Sequence, residues 1–407
     1  ESDVRRRAVL GGVLETNLAR IEEGYETLGK HFKAGAHGLE FMQGFFTWTE
    51  RTINEARTLL GKNNSRPKFQ RYNFATSSNG HSKSGKLSHL LNAREPVVFA
   101  YNGGIGDRLC NLPALRALAA LFPGRLALVC GKGDRNLYYS DLNLRAVYEL
   151  DFDYAHVGFT FATEDLARHL VNCDLFLSIN PWHTSSVSEL LAKFPNLESV
   201  GFYPEFRHHL HCDYEGHAID MAFAVPRFLN SELDVADFSQ PPAISEPAKL
   251  MAQEFRRSYA GWKHILFVHT DTKKEKSWPR ERFEGVLDRF LEEFPDVGAL
   301  VVDVREEGIR QGRFPDRVLP LTLPLDACFA LLRESDLFLG IDSCHLHAAD
   351  LWRVPGVGLF GPTTSRRWGY KFSSSHRHLQ CSGRMDEIAI EDVFDALRSI
   401  ACSLQAN

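Results

Sequence analysis

The stretch from Asp336 to Thr363 constrains the fold most. After Asp336, the apolar run Leu337-Phe338-Leu339 drops through Gly340-Ile341 into a short turn at the polar Asp342. A helix is then predicted to open at Ser343 and to run through Cys344-His345-Leu346-His347-Ala348-Ala349. A second apolar run ends in Leu359-Phe360-Gly361-Pro362-Thr363. Strand, loop, helix and strand in that order form the repeating unit of an open parallel sheet, in which ligands bind at the carboxyl ends of the strands. Ser343 suits a helix N-cap, and the unbonded N–H groups behind it suit an anion.

The same alternation recurs upstream. Val97–Tyr101, Leu126–Val129 and Leu175–Ile179 read as strands, with an amphipathic helix from about Leu109 to Leu121. After a Pro-rich connection over 229–247, it restarts with strands at Ile265–Val268, Ala299–Val302, Leu337–Gly340 and Gly358–Phe360. The helices predicted between and after them are Arg280–Phe294, Asp326–Arg333 and Ile390–Leu404. This predicts an α/β protein with two Rossmann-like lobes facing a cleft. The expected divisions are a helical segment with polar linker over 1–92, a first lobe over 93–240, a second over 245–390 and a closing helix over 391–407. Within the first division, Val9, Leu10, Val13, Leu14, Leu18 and Ile21 recur at helical steps, and 63–91 is rich in Asn, Ser, Gly and Lys.

A chain of 407 residues suits two domains plus an appendage. A net charge of −5 supplies no global basic field, so nucleic acid is not an expected partner. The eight cysteines are scattered, never form a Cys-x-x-Cys pair and read as reduced thiols. No apolar run reaches the roughly 20 residues that span a bilayer. The opening Glu1-Ser2-Asp3 carries no signal-peptide pattern, so a cytoplasmic location is expected, with a peripheral membrane contact left open.

Two further constellations lie where strands end. Asn102-Gly103-Gly104-Ile105-Gly106-Asp107-Arg108 follows a strand and opens a helix. Gly103, Gly104 and Gly106 permit close backbone approach to a ligand. Asp107 is either a first-turn cap or a general base at the cleft mouth. His269-Thr270-Asp271-Thr272-Lys273-Lys274-Glu275-Lys276-Ser277-Trp278-Pro279 also follows a strand, and its hydroxyls and ammonium groups suit a diphosphate unless it is simply a solvated charged loop. His208, His209, His211, Cys212 and His217 cluster in sequence but match no common zinc spacing, so no metal is expected there.

Three segments occur in a recognisable order: GGIGDRLCNLPALRAL from Gly103, KSWPRERF from Lys276, and GIDSCHLHAADLWRVPGVGLFGPT from Gly340. Together they resemble the signatures of glycosyltransferase family 9, the ADP-heptose:lipopolysaccharide heptosyltransferases, over roughly residues 95–400. The resemblance implies a GT-B fold, with acceptor on the first lobe and nucleotide-sugar on the second. It implies inverting sugar transfer that needs no metal or other cofactor, with ADP-heptose as the leading donor. Carried over, Asp107 would be the base. Thr272 and Lys276 would hold the diphosphate. Asp342, Ser343, Cys344 and the loop to His347 would complete the donor pocket, and Glu306 or Glu307 would meet the donor ribose. The closing helix would cross back to the first lobe. Cys344 stands where the family has glycine, and Asp350 where it has an apolar helix residue. The first ~90 residues fall outside the pattern, so they are expected to shape the acceptor site or to build a homo-oligomer. The acceptor therefore stays open among a lipopolysaccharide or other glycan, a protein and a natural product. A nucleotide-sugar epimerase or hydrolase of the same fold, and a degenerate nucleotide-sugar-binding scaffold, are the alternatives.

Overall fold

The computed structural model describes residues 89–405, apart from 102, 156–157, 183, 214, 271–273 and 304–311. The helical reading of residues 1–62 and nearly all of the polar linker lie outside the described residues.

The first sheet begins at β1 (Pro96–Phe99), whose four residues are all buried, as expected for a strand covered on both faces. The chain continues through α1 (Ile105–Leu121), β2 (Ala127–Gly131), α2 (Asp134–Tyr138) and β3 (Ala146–Leu150). A small antiparallel hairpin follows, β4 (Asp153–Ala155) with β5 (Gly158–Thr160). Next come α3 (Thr163–Ala167), β6 (Leu175–Ser178), α4 (Ser185–Lys193), β7 (Glu198–Gly201), β8 (His208–His209) and α5 (Ala218–Leu229). The second half holds α6 (Glu246–Ser258), β9 (His264–His269), α7 (Arg280–Glu293), β10 (Val297–Val302), β11 (Val318–Leu321), α8 (Leu325–Arg333) and β12 (Leu337–Ile341). It closes with α9 (Cys344–Leu351), β13 (Gly356–Phe360), α10 (Ser365–Trp368), β14 (His376–Gln380) and α11 (Ile390–Gln405).

The strands form two six-stranded sheets, ordered β3-β2-β1-β6-β7-β8 and β11-β10-β9-β12-β13-β14, with parallel pairing at every step. In each sheet the chain winds one way from a central strand and then returns to the other side of it. The crevice at that reversal lies between β1 and β6 in the first sheet, and between β9 and β12 in the second. The Gly103–Asp107 turn follows β1, the Lys276 loop follows β9 and Asp342 follows β12. All three polar segments therefore sit where such sheets bind ligands.

Helix α1 opens a turn earlier than its apolar periodicity suggests, because Gly104 and Asp107 build a cap around Ile105 and Gly106. The Pro-rich connection ends at Ser245, whose side chain accepts the Ala248 N–H; Pro247 belongs to the first turn of α6. The closing helix lies on the second sheet. Its stripe of Val393, Phe394, Leu397, Ile400 and Ala401 joins the core formed with α7, β13 and β14. Each large side chain so buried contributes about 1.5–3 kcal/mol, whereas the solvent-screened surface ion pairs Arg398–Glu293 and Arg289–Glu391 add little. Burial therefore decides its position. The expected return to the first lobe is not what this face does.

The lobes share apolar contact. One core runs from the first sheet through α1 and α5 to Leu346, Ala348, Ala349 and Tyr370 of the second half. Helices α1 and α9 meet directly at that junction. Among the described residues, no helix is long and apolar enough to cross a membrane.

Candidate active site

Strand β12 delivers Asp342 to the head of α9, where it is 5% exposed. Its Oδ2 accepts hydrogen bonds from Lys276 Nζ and from Thr363 Oγ1, each at 2.6 Å. Lys276 ends a 3₁₀ turn, Lys274–Lys276. The next residue but one, Trp278, anchors that loop: it is buried, donates Nε1–H to the Ile388 carbonyl at 3.1 Å and meets Phe283 edge-on. The strand-end loops after β9, β12 and β13 thus converge on one carboxylate. Thr363 was visible in the sequence only as the end of the Gly-Pro-Thr run.

Ser343 occupies the cap position of α9 in an extended conformation, yet its side chain does not cap the helix. The hydroxyl is buried and makes no hydrogen bond. The expected cap is therefore replaced by a spare hydroxyl beside first-turn N–H groups that have no partner within the helix. Such an arrangement suits a phosphate oxygen. Cys344 does not project freely. Its half-buried thiol packs against the apolar core, with Sγ 3.7 Å from His345 Nδ1, and burial pushes it up to about 12, so it stays protonated near neutrality. His347 Nε2 stands 3.8 Å from Asp342 Oδ1. Burial pushes this imidazole down to about 4, so it meets Asp342 as a neutral ring.

Asp107 faces this group from the first lobe. One of its oxygens accepts the Gly104 N–H at 3.0 Å, so the capping role is real. Burial raises its pKa above the usual carboxylate range. The Gly104 hydrogen bond and the charge of Lys276 oppose that rise, and Asp342 adds to it. Asp107 therefore senses Lys276 and Asp342 across the lobe boundary. Arg108, its neighbour in sequence, turns away and pairs through Nε with Asp134 at 2.8 Å, over the rings of Tyr101 and Tyr138. Among the described residues no arginine is bonded to Asp107, which leaves its charge expensive and its proton affinity high.

The two lobes touch closely at Gly106. A Cβ there would lie 2.8 Å from His347 Cδ2 and 3.7 Å from the Cys344 backbone nitrogen. Because His347 is itself buried, it has little room to yield. Gly106→Ala should force α1 away from α9. With displacements near 1 Å costing about 100-fold, any reaction that needs both lobes should slow at least tenfold while a second-lobe ligand still binds. Steady-state rates beside calorimetry on the variant check this.

Of the other predicted residues, Thr272 and Glu306 with Glu307 lie outside the described residues. Gly103 and Gly104 sit at the mouth of the first-lobe turn, exposed and half-buried. The histidine cluster diverges. His208 pairs with Glu198 at 3.0 Å, His209 and His211 are exposed, Cys212 contacts Met221, and His217 caps α5. Among the described residues, no three His, Cys, Asp or Glu side chains converge as a metal site would need. Sequence reasoning gave no structural role to Asp220 and Lys371, which pair across the lobes at 2.7 Å.

Residues 198–391 match the family profile described as glycosyltransferase family 9 (heptosyltransferase). No curated protein matches the chain by sequence. Among solved structures, the family 9 glycosyl transferase of Veillonella parvula superposes with a TM-score of 0.62 at 19% identity, over 76% of this chain and 97% of that one. The ADP-heptose LPS heptosyltransferase II of E. coli gives 0.56 at 14% identity, over 76% and 99%. The E. coli heptosyltransferase WaaC with ADP gives 0.52 at 14% identity, over 75% and 99%. The two facing lobes are the GT-B arrangement of these proteins. The profile begins after the Gly103–Arg108 turn, so the case for Asp107 rests on geometry.

Proposed function

We propose that this chain, a glycosyltransferase with a family 9 domain at residues 198–391, moves a heptose from ADP-heptose to an acceptor hydroxyl, with inversion and without a required metal. One juxtaposition carries the reading: the first-lobe turn that bears Asp107 packs against the head of α9, and the charge of Lys276, bonded there to Asp342, acts on the Asp107 carboxylate, with the unbonded Ser343 hydroxyl on the same helix head. Asp107 takes the acceptor's hydroxyl proton. The acceptor oxygen attacks the anomeric carbon from the face opposite the diphosphate, forming the new glycosidic bond. The bond from that carbon to the diphosphate oxygen breaks, and its electron pair leaves with ADP. Lys276, Ser343 and the α9 N–H groups offset the charge that grows on the leaving group. Thr272, in the same loop as Lys276, adds a hydroxyl to the diphosphate. Glu306 or Glu307, after β10, binds the ribose. Asp342 orients Lys276 and Thr363, while neutral His347 walls the pocket.

ADP-heptose leads as donor because two superposable proteins are described as an ADP-heptose heptosyltransferase and as a heptosyltransferase with ADP. The acceptor is a hydroxyl compound, whether glycan, protein or natural product. The reaction belongs in the cytoplasm, where nucleotide sugars and reduced thiols coexist. A panel of nucleotide sugars tests the donor by thermal stabilisation. The true donor at 100 times its dissociation constant should add about 2.7 kcal/mol. An ADP-sugar should stand out, and incubation with it alone should leave it largely intact. Rapid donor conversion without acceptor would instead indicate an epimerase or hydrolase, and no response to any nucleotide would indicate a scaffold.

A further inference from the structure

Asp350 is the second departure from the family pattern, and the proposed reaction does not use it. It lies near the end of α9, the helix whose head carries Ser343, and is 2% exposed. Such burial of a carboxylate is costly unless its oxygens are bonded. Here three successive backbone N–H groups donate to it: Lys371 at 2.9 Å, and Phe372 and Ser373 at 2.8 Å each. The carboxylate thereby folds residues 369–373 into a strap.

The strap faces the other lobe. The Gly369 carbonyl accepts a hydrogen bond from His217 Nε2 at 2.9 Å. His217 Nδ1 accepts the Ile219 N–H at 3.2 Å, so the bonding on both ring nitrogens assigns the proton to Nε2. Lys371 Nζ donates to Asp220 Oδ2 at 2.7 Å. Just before the strap, the Arg367 guanidinium lies 5.1 Å from the centre of the Trp182 ring in the first lobe. His217 and Asp220 form the head of α5, and α5 packs along α1, which carries Asp107 in its first turn. Helix α9 already packs along α1 at its apolar junction and is followed by Arg353, which donates to Ser239 Oγ at 2.5 Å. The strap that Asp350 holds adds a polar contact at a separate place, the head of α5, and contacts set apart in this way restrain rotation of one lobe on the other.

We propose that Asp350 is a positioning residue: by folding the 369–373 strap onto the head of α5, it sets the register between the lobe bearing Asp107 and the lobe bearing Lys276. Its effect on turnover rests on the transferase reading above; its effect on lobe contact does not. Hydrogen exchange measured by mass spectrometry on the full chain separates the two. In Asp350→Asn, exchange should quicken at 371–373 and also at 217–221 across the boundary, while β9, β10 and β12 keep their protection. Asp220→Lys and Lys371→Asp should each quicken exchange at 217–221, and the double charge swap should restore it, independently of whether Asp350→Asn folds. Calorimetry with ADP should show unchanged affinity in the swap and the single variants. Turnover of ADP-heptose should lose about tenfold in kcat in each single variant and recover in the swap. Opening at 371–373 with no change at 217–221 would make Asp350 a local fold element and overturn the proposal, as would a charge swap that fails to restore exchange. Recovered exchange with no ADP-heptose turnover in the parent chain would reject the donor assignment and leave the strap standing.

Discussion

Asp107→Asn should lose transfer by a factor on the order of 10²–10⁴, the span that general-base catalysis commonly supplies, while the protein becomes more stable at neutral pH. The two effects have one cause. Burial disfavours the charged carboxylate more than Gly104 and Lys276 favour it, so its folded-state pKa lies above its unfolded value. A group shifted upward contributes stability that is fully present below the unfolded pKa, near about 3.9, and lost as pH rises through the folded pKa. At neutral pH the ionised form is therefore a net cost that asparagine removes. Asparagine also keeps an oxygen able to accept the Gly104 N–H. Thermal unfolding should show a higher midpoint for the variant at pH 7, converging with the parent as pH falls to about 4 or below. The parent's rate should carry an acid limb above the usual carboxylate range, because protonated Asp107 cannot accept a proton. A variant with near-parent activity, or one destabilised at pH 7, would remove Asp107 from the role of base.

How much of this was legible in the sequence follows from where each residue gets its signal. The central strands β1, β9 and β12 announce themselves because both faces are buried, so their runs are apolar without interruption. Strand β14 reads His-Arg-His-Leu-Gln and is half exposed. It joins β13 through backbone bonds that any side chain permits, so composition could not reveal it. Helix α6 carried its own start signal in Ser245-Glu246-Pro247, masked by the prolines before it. The loops holding Lys276, Asp342 and Ser343 stood out because polar residues at strand ends are conspicuous; Lys276 among its neighbouring lysines, and Asp342 as a pocket residue, were singled out by the resemblance of KSWPRERF and GIDSCHLHAAD to the family 9 signatures. That Ser343 does not cap its helix, that Asp342 gathers three loops, and that Gly106 faces His347 depend on contacts between residues far apart in sequence. Asp350 was visible as a misfit in an apolar helix, but its three N–H donors lie more than 20 residues downstream.

Lys276→Met should fail in both respects, losing transfer by about 10²–10³ and losing stability as well. The opposite sign of the stability change separates it from the Asp107 variant. Without the ammonium group, Asp342 stays almost fully buried, with Thr363 Oγ1 as its remaining close side-chain donor among the described residues and a neutral His347 at 3.8 Å. Breaking a buried ion pair costs about 3–5 kcal/mol; Lys276 is 26% exposed, so water recovers part of that and a smaller loss is expected. Replacing Asp342 as well, by Asn, should return most of the stability and none of the activity, because under the proposed mechanism the departing diphosphate would still lack its cation. The variant also reports on Asp107. Lys276 lowers the pKa of that carboxylate, so its removal should move the acid limb of the residual rate further upward. That displacement, read from pH–rate profiles of parent and variant, measures directly whether the two groups share one electrostatic site. An unmoved limb would mean that the lysine of one lobe and the carboxylate of the other act apart, and the transfer mechanism built on their meeting would fall with it.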